Sequence, residues 1–143
     1  MGVNLMYPWI VFLLFITDIL TKIIAEKKLK FHPKKILDGA IHLYYVRNFG
    51  IAFNKLSHKK WLILTLNFVL LFYMTTLYNS PGMHKMGLSL VLAGGLGNTL
   101  NRLFRGYVID FIYFNIKGFP VFNIADFYIL AGIILILLKE LII

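Results

Sequence analysis

Two carboxylates stand out as candidates for acid–base chemistry: Asp110, within Gly-Tyr-Val-Ile-Asp-Phe-Ile-Tyr-Phe, and Asp126, within Phe-Asn-Ile-Ala-Asp-Phe. No basic residue lies within four positions of either. An unpaired carboxylate in apolar surroundings holds its proton to higher pH than usual. Two that meet must share a proton, because like charges in contact cannot both ionise. Such a pair is equipped for peptide hydrolysis: one member takes a proton from water while the other protonates or hydrogen-bonds the scissile carbonyl. The same two groups could instead relay protons or cations through a transporter. Their spacing of sixteen leaves both readings open.

The other polar residues of the apolar runs can be weighed singly, because an ionisable group at a spanning-helix centre costs at least ~2.5–3.5 kcal/mol. Asp18 and Lys22 are four apart and so share a helix face. They are either a self-neutralising pair near an interface, with Lys22 snorkelling, or groups that shape a site. Gly94, Gly95 and Gly97 permit close helix approach. Asn98, Asn101 and Arg102 follow at spacings that let all three line one face, and Arg102 needs an acid or carbonyls to satisfy it. The histidines His32, His42, His58 and His84 are scattered through loops without ligand spacing, so they read as surface residues and no metal site is expected.

The elements that must position these groups are apolar. Of the 143 residues, 59% are hydrophobic, and the mean hydropathy is +0.78. That excess over a typical soluble domain points to a membrane protein of one domain, 1–143. Four spans are expected, near 5–25, 61–78, 85–103 and 122–142. The first has no preceding Lys or Arg and no small-x-small cleavage site, and so reads as a retained helix rather than a signal peptide. Tyr7 and Trp9 would anchor it at an interface. Residues 26–60 are polar, with Ile41–Val46 strand-like and Asn48 and Gly50 turn-forming. A small sheet on the membrane surface is expected there, with a short interfacial helix over Ala52–Ser57. Residues 104–120 are mixed in character. The net charge of +9 suits anionic lipid headgroups better than nucleic acid, for which no fold fits between the apolar runs. Cysteine is absent, which excludes disulfides and thiolate metal sites.

These motifs, taken in order, resemble lipoprotein signal peptidases, the signal peptidase II family. Asp18-Ile-Leu-Thr-Lys22 resembles the family's Asp-x-x-x-Lys motif. Arg47-Asn48-Phe49-Gly50-Ile51-Ala52-Phe53 is similar to its Asn-x-Gly-x-Ala-Phe motif. Gly97-Asn98 with Arg102 resembles its Gly-Asn-x-x-Asp-Arg block. Val108-Ile109-Asp110-Phe111 and Phe122-Asn123-Ile124-Ala125-Asp126 are similar to its two catalytic-aspartate motifs. The resemblance implies an all-α integral membrane fold of four transmembrane helices with a small extracytoplasmic β-cradle and a surface helix. It implies a bacterial inner-membrane aspartyl endopeptidase, active toward the extracytoplasmic face, that cleaves diacylglyceryl prolipoproteins before the lipidated Cys. Asp110 and Asp126 would be the dyad, with no metal or other cofactor. Asp18, Lys22, Asn48, Gly50, Asn98, Arg102 and Asn123 would shape the site. Globomycin-type inhibitors, membrane lipids and the prolipoprotein would be its partners, and the chain would be a monomer. A four-helix proton-coupled transporter and a non-cleaving lipopeptide-binding relative are the alternatives.

The chain departs from the family pattern at Asn101, where an Asp usually precedes the motif Arg. Arg102 is then expected to lean on Asp18 or on backbone carbonyls. The orientation is also in tension. Residues 26–60 carry nine Lys and Arg side chains (Lys27, Lys28, Lys30, Lys34, Lys35, Arg47, Lys55, Lys59, Lys60), whereas residues 79–84 carry none. The positive-inside rule places the basic stretch in the cytoplasm, and the resemblance places it outside.

Overall fold

The computed structural model describes residues 6–50 and 59–142. In chain order the elements are α1 (Met6–Lys28), β1 (Lys34–Ile36), β2 (Ile41–Asn48), α2 (Lys60–Leu77), α3 (Lys85–Arg105), β3 (Val108–Phe114), β4 (Val121–Phe122) and α4 (Ile124–Ile142). The helix α3 is central and packs against α1, α2 and α4. The expected interfacial helix over Ala52–Ser57 lies outside the described residues.

The helices follow the apolar runs and overrun them where polar residues still favour helix. Thus α1 continues through Glu26, and Lys27 and Lys28 sit in its last turn, where cations complement the helix dipole. Two features delimit α3. At its start the His84 side chain accepts from the Gly87 amide at 3.0 Å, so this histidine is a cap rather than an idle surface group. At its end Gly106 has φ +80°, a left-handed conformation that glycine adopts without penalty. That turn directs the chain straight into β3 and sets Asp110 four residues beyond it.

The expected sheet is present but differs in its membership. It is antiparallel, in the order β1-β2-β3-β4; β3 comes from the mixed segment after α3, and β4 lies just beyond it, rather than both coming from residues 26–60. The fold is therefore mostly helical with a small sheet. In β3, Val108, Ile109, Asp110 and Phe111 are all buried. A strand covered on both faces loses the alternation that marks strands in sequence. Ile109 and Phe111 pack with Ala25 of α1, while Asp110 alternates to the opposite face.

The interior buries charged and polar side chains beside its apolar core, and much of the helix exterior is apolar. Asp18 and Lys22 are 0% and 1% exposed, whereas Trp61 and Phe72 are 74% and 72% exposed. That inversion suits a surrounding solvent of lipid. Among the described residues two helices, Tyr7–Lys28 and Lys60–Leu77, are long and apolar enough to cross a membrane. The other two are of similar length, but α3 is diluted by Gly, Asn and Arg, and α4 carries Asp126, Lys139 and Glu140.

Candidate active site

Five elements or their edges converge at the sheet end of the helices. Asn48 closes β2, and Asp110 lies on β3. The β2–β3 register pairs Asn48 with Val108 and Val46 with Asp110, which makes Asn48 and Asp110 diagonal neighbours on one face. Asn48 Nδ2 donates to Asp110 Oδ2 at 2.9 Å. The backbone turns directly afterwards, where the Gly50 amide donates to Asn48 Oδ1 at 3.0 Å.

Asp126 is held by the first turn of α4. Its Oδ2 accepts from the Asn123 amide at 3.0 Å, and Asn123 Oδ1 accepts from the Asp126 amide at 3.2 Å. This is a capping box, in which the residue before the helix and the third residue within it satisfy each other's amides. The second carboxylate oxygen, Oδ1, accepts from Asn98 Nδ2 of α3 at 3.0 Å.

Asn123 also joins the two carboxylates. Its Nδ2 donates to Asp110 Oδ1 at 2.7 Å and to Asn98 Oδ1 at 3.2 Å. Asp110 and Asp126, sixteen residues apart, thus share one asparagine and one cavity. The cavity measures about 360 Å³ and is lined by Asn48, Asn98, Arg102, Asp110, Asn123 and Asp126. An aromatic wall, Phe119 and Phe122, closes its side. That wall was not singled out from the sequence, although the density of Phe over 111–127 is its signal.

Burial separates the two carboxylates. Asp110 is 3% exposed, and its carboxyl is pushed up to about 6, first by desolvation and then by the neighbouring Asp126 charge. The hydrogen bonds from Asn123 and Asn48 act in the opposite sense. Asp126 is half-buried at the mouth of the helix.

Behind the dyad lies the α1 pair. Lys22 does not snorkel. Its Nζ donates to Asp18 Oδ2 at 2.7 Å and to Asn98 Oδ1 at 2.8 Å. Asp18 Oδ1 accepts from the Ala125 amide, in the first turn of α4, at 3.0 Å. The pair therefore braces α3 and α4 and reaches Asp126 through Asn98. Gly97 makes this possible, because a Cβ there would collide with the Asp18 carboxylate. Gly94 serves the same packing role beside the Ala125 carbonyl of α4.

Asn98 and Arg102 face the dyad cavity, but Asn101 does not share their face. Asn101 lines a separate space with Lys22 and Phe104 on the α1 side. Its Nδ2 donates weakly to the Gly97 carbonyl at 3.4 Å, and its Oδ1 has no partner among the described residues. Arg102 donates through a terminal nitrogen to the Gly50 carbonyl at 2.7 Å. Asp18 is occupied by Lys22 and Ala125, so the compensation at Arg102 is a backbone carbonyl and not that acid.

A family model described as signal peptidase (SPase) II matches residues 10–142. The lipoprotein signal peptidase of Caldicellulosiruptor bescii is 37% identical over 141 residues, which cover 94% of this chain and 93% of that protein. The lipoprotein signal peptidase of Streptococcus agalactiae serotype Ia is 32% identical over 140 residues, covering 94% and 91%. A solved bacterial membrane enzyme, determined by the in meso method at 2.3 Å, superposes with TM-score 0.88 at 29% identity, covering 97% of this chain and 89% of that one. With two aspartates converging on one cavity inside an inverted, lipid-facing fold, the chain belongs to the signal peptidase II family of aspartic-type peptidases.

Proposed function

We propose that Asp110 and Asp126 are the catalytic dyad of an endopeptidase that removes signal peptides from diacylglyceryl-modified bacterial prolipoproteins, cutting before the lipidated Cys. The observation that carries this reading is the convergence of both carboxylates on one cavity through Asn123. Asp126, the more open of the two, takes a proton from water as the water oxygen attacks the scissile carbonyl carbon. Asp110 holds the second proton and gives it to the carbonyl oxygen. The tetrahedral species collapses as one of its hydroxyls returns a proton to Asp110, the C–N bond breaks, and the departing amine takes the proton held by Asp126. Asn48, Asn98 and Asn123 orient the carboxylates, Arg102 and Gly50 tie α3 to the turn after β2, and Asp18 and Lys22 brace the frame.

The four long helices would all span the bacterial inner membrane, with both termini in the cytoplasm and the sheet outside. The sheet would cradle the substrate, and the basic residues of 26–60 would meet anionic headgroups there. A globomycin-type inhibitor would occupy the dyad cavity, and the chain would act as a monomer. A proton-relay role is not favoured, since the family resemblance spans nearly the whole chain.

Purified protein incubated in detergent with a diacylglyceryl prolipoprotein tests the reading. Cleavage is expected, with a fall of at least about 10²–10⁴-fold in both Asp110→Asn and Asp126→Asn. Persistence in either variant would sink the dyad. Binding without cleavage by the unmodified chain would favour a non-cleaving relative. A reporter after Ile143 active only outside the cytoplasm would reverse the orientation.

A further inference from the structure

A second cavity, of about 200 Å³, lies between α2, α3 and α4. Asn98 and Arg102 line it and also line the dyad cavity, so the two spaces share a wall. Its lining is graded along the helices. The Lys60 side chain donates to the Leu103 carbonyl and Leu71 lies against Gly95, so α2 and α3 run antiparallel. The polar members Asn67, Thr99 and Arg102 are therefore at the end near the dyad. Leu70, Leu71, Met74 and Val91 extend away from it.

Two buried groups at the polar end lack hydrogen-bond partners among the described residues: Thr99 Oγ1 and Arg102 Nε. Their residues are 4% and 8% exposed. Leaving such a group unmet costs about 1–3 kcal/mol, and the proposed chemistry uses neither atom. Arg Nε–H can only donate, and a Thr hydroxyl can donate. The missing complement is thus an acceptor, followed by something apolar. An ester carbonyl at the root of an acyl chain has that order.

We propose that this cavity is the acyl-ester subsite, which receives the ester carbonyls of the substrate's diacylglyceryl group and guides its chains along the α2–α3 face. The inference rests on the peptidase reading. The lipidated Cys directly follows the scissile bond, so its lipid must leave the dyad cavity close by, and the wall of Asn98 and Arg102 adjoins both spaces. Thr99 then acts as a specificity residue, with Asn67 at its side. A bilayer phospholipid offers the same ester chemistry, and the assay must separate the two sources.

The test compares matched lipopeptides with ester or ether links to glycerol, in nanodiscs of ether phospholipid so that only the substrate supplies esters. In the unmodified protein the ether substrate should show a KM about fivefold to tenfold higher, the effect of one hydrogen bond. In Thr99→Val, which leaves Arg102 Nε as the remaining donor, the difference should narrow, and Thr99→Ser should restore it. No ester preference in the unmodified protein, or the same preference in Thr99→Val, overturns the subsite. Ester phospholipid that raises the KM of the ester substrate in the unmodified protein but not in Thr99→Val would assign the cavity to bilayer lipid and overturn the substrate assignment. Binding of dye-labelled lipopeptides to Asp126→Asn reads the ester preference without chemistry. An ester preference in binding, with no cleavage by the unmodified chain, would refute the peptidase and leave the subsite standing. Asn67→Leu is the second variant: it should reduce the ester preference with unchanged thermal stability, and a full preference there would also count against the subsite.

Discussion

Asn123 supplies the sharpest test of the dyad, because one residue serves both carboxylates: its side-chain amide donates to Asp110, and its backbone amide donates to Asp126. In Asn123→Ala, Asp110 loses the 2.7 Å hydrogen bond that favours its charged form. Asp110 already holds its proton up to about 6, chiefly through burial. A hydrogen bond to a charged group is worth about 1.5–3 kcal/mol, and one pKa unit is about 1.4 kcal/mol, so the carboxyl should climb by about one to two units. If Asp110 is the proton-holding member, kcat/KM of the unmodified enzyme falls as pH rises through about 6, since that ratio reports the free enzyme. In Asn123→Ala the fall should move upward to about pH 7–8, while the plateau drops about tenfold or more because Asp126 also loses its cap partner. The assay is kcat/KM for a lipopeptide from pH 4.5 to 9. A descending limb that stays in place, or moves to lower pH, would refute the assignment of the proton to Asp110.

Four further outcomes follow from the geometry. Asp110 has a raised pKa when folded, so its contribution to stability is fully present below 3.8 and is lost as pH rises through about 6. That loss is about 3 kcal/mol, and the difference in thermal stability between the unmodified protein and Asp110→Asn, followed from pH 3 to 7, should show it; parallel curves would contradict it. Lys22→Met leaves the Asp18 carboxylate buried without its cation and should cost about 3–5 kcal/mol. Gly97→Ala should cost about 1–3 kcal/mol by pushing α1 from α3, and detergent unfolding at or near the unmodified midpoint in either variant would argue against the α1 brace. Asn101→Asp should change kcat by less than about threefold, a barrier change under about 0.7 kcal/mol, because residue 101 does not line the dyad cavity. A larger change in kcat, in either direction, would show that residue 101 acts on the chemistry.

Much of the site was legible from spacing within one helix. Asp18 and Lys22 four apart had to share a face, and Asn98 and Arg102 four apart did too. The same reasoning overreached at Asn101, since three-residue spacing permits a shared face without requiring one, and here the side chain turns toward α1. The apolar runs located all four long helices to within a few residues, because α-helical hydrogen bonds are local and the chain's hydropathy changes abruptly at the loops.

What the chain order alone determined, then, was which residues are too costly to bury without purpose and which of them are neighbours on a helix. Only the tertiary structure decided that Asp110 stands on a strand, because β3 is buried on both faces and its partner β2 lies some sixty residues earlier, so neither alternation nor local spacing marks it. The meeting of Asp110 with Asp126, the bridging by Asn123 and the turn of Lys22 from the interface to Asn98 likewise depend on hydrogen bonds between distant segments. Such bonds exist only once α3 has brought α1, α4 and the sheet together, and no periodicity within a single segment encodes them.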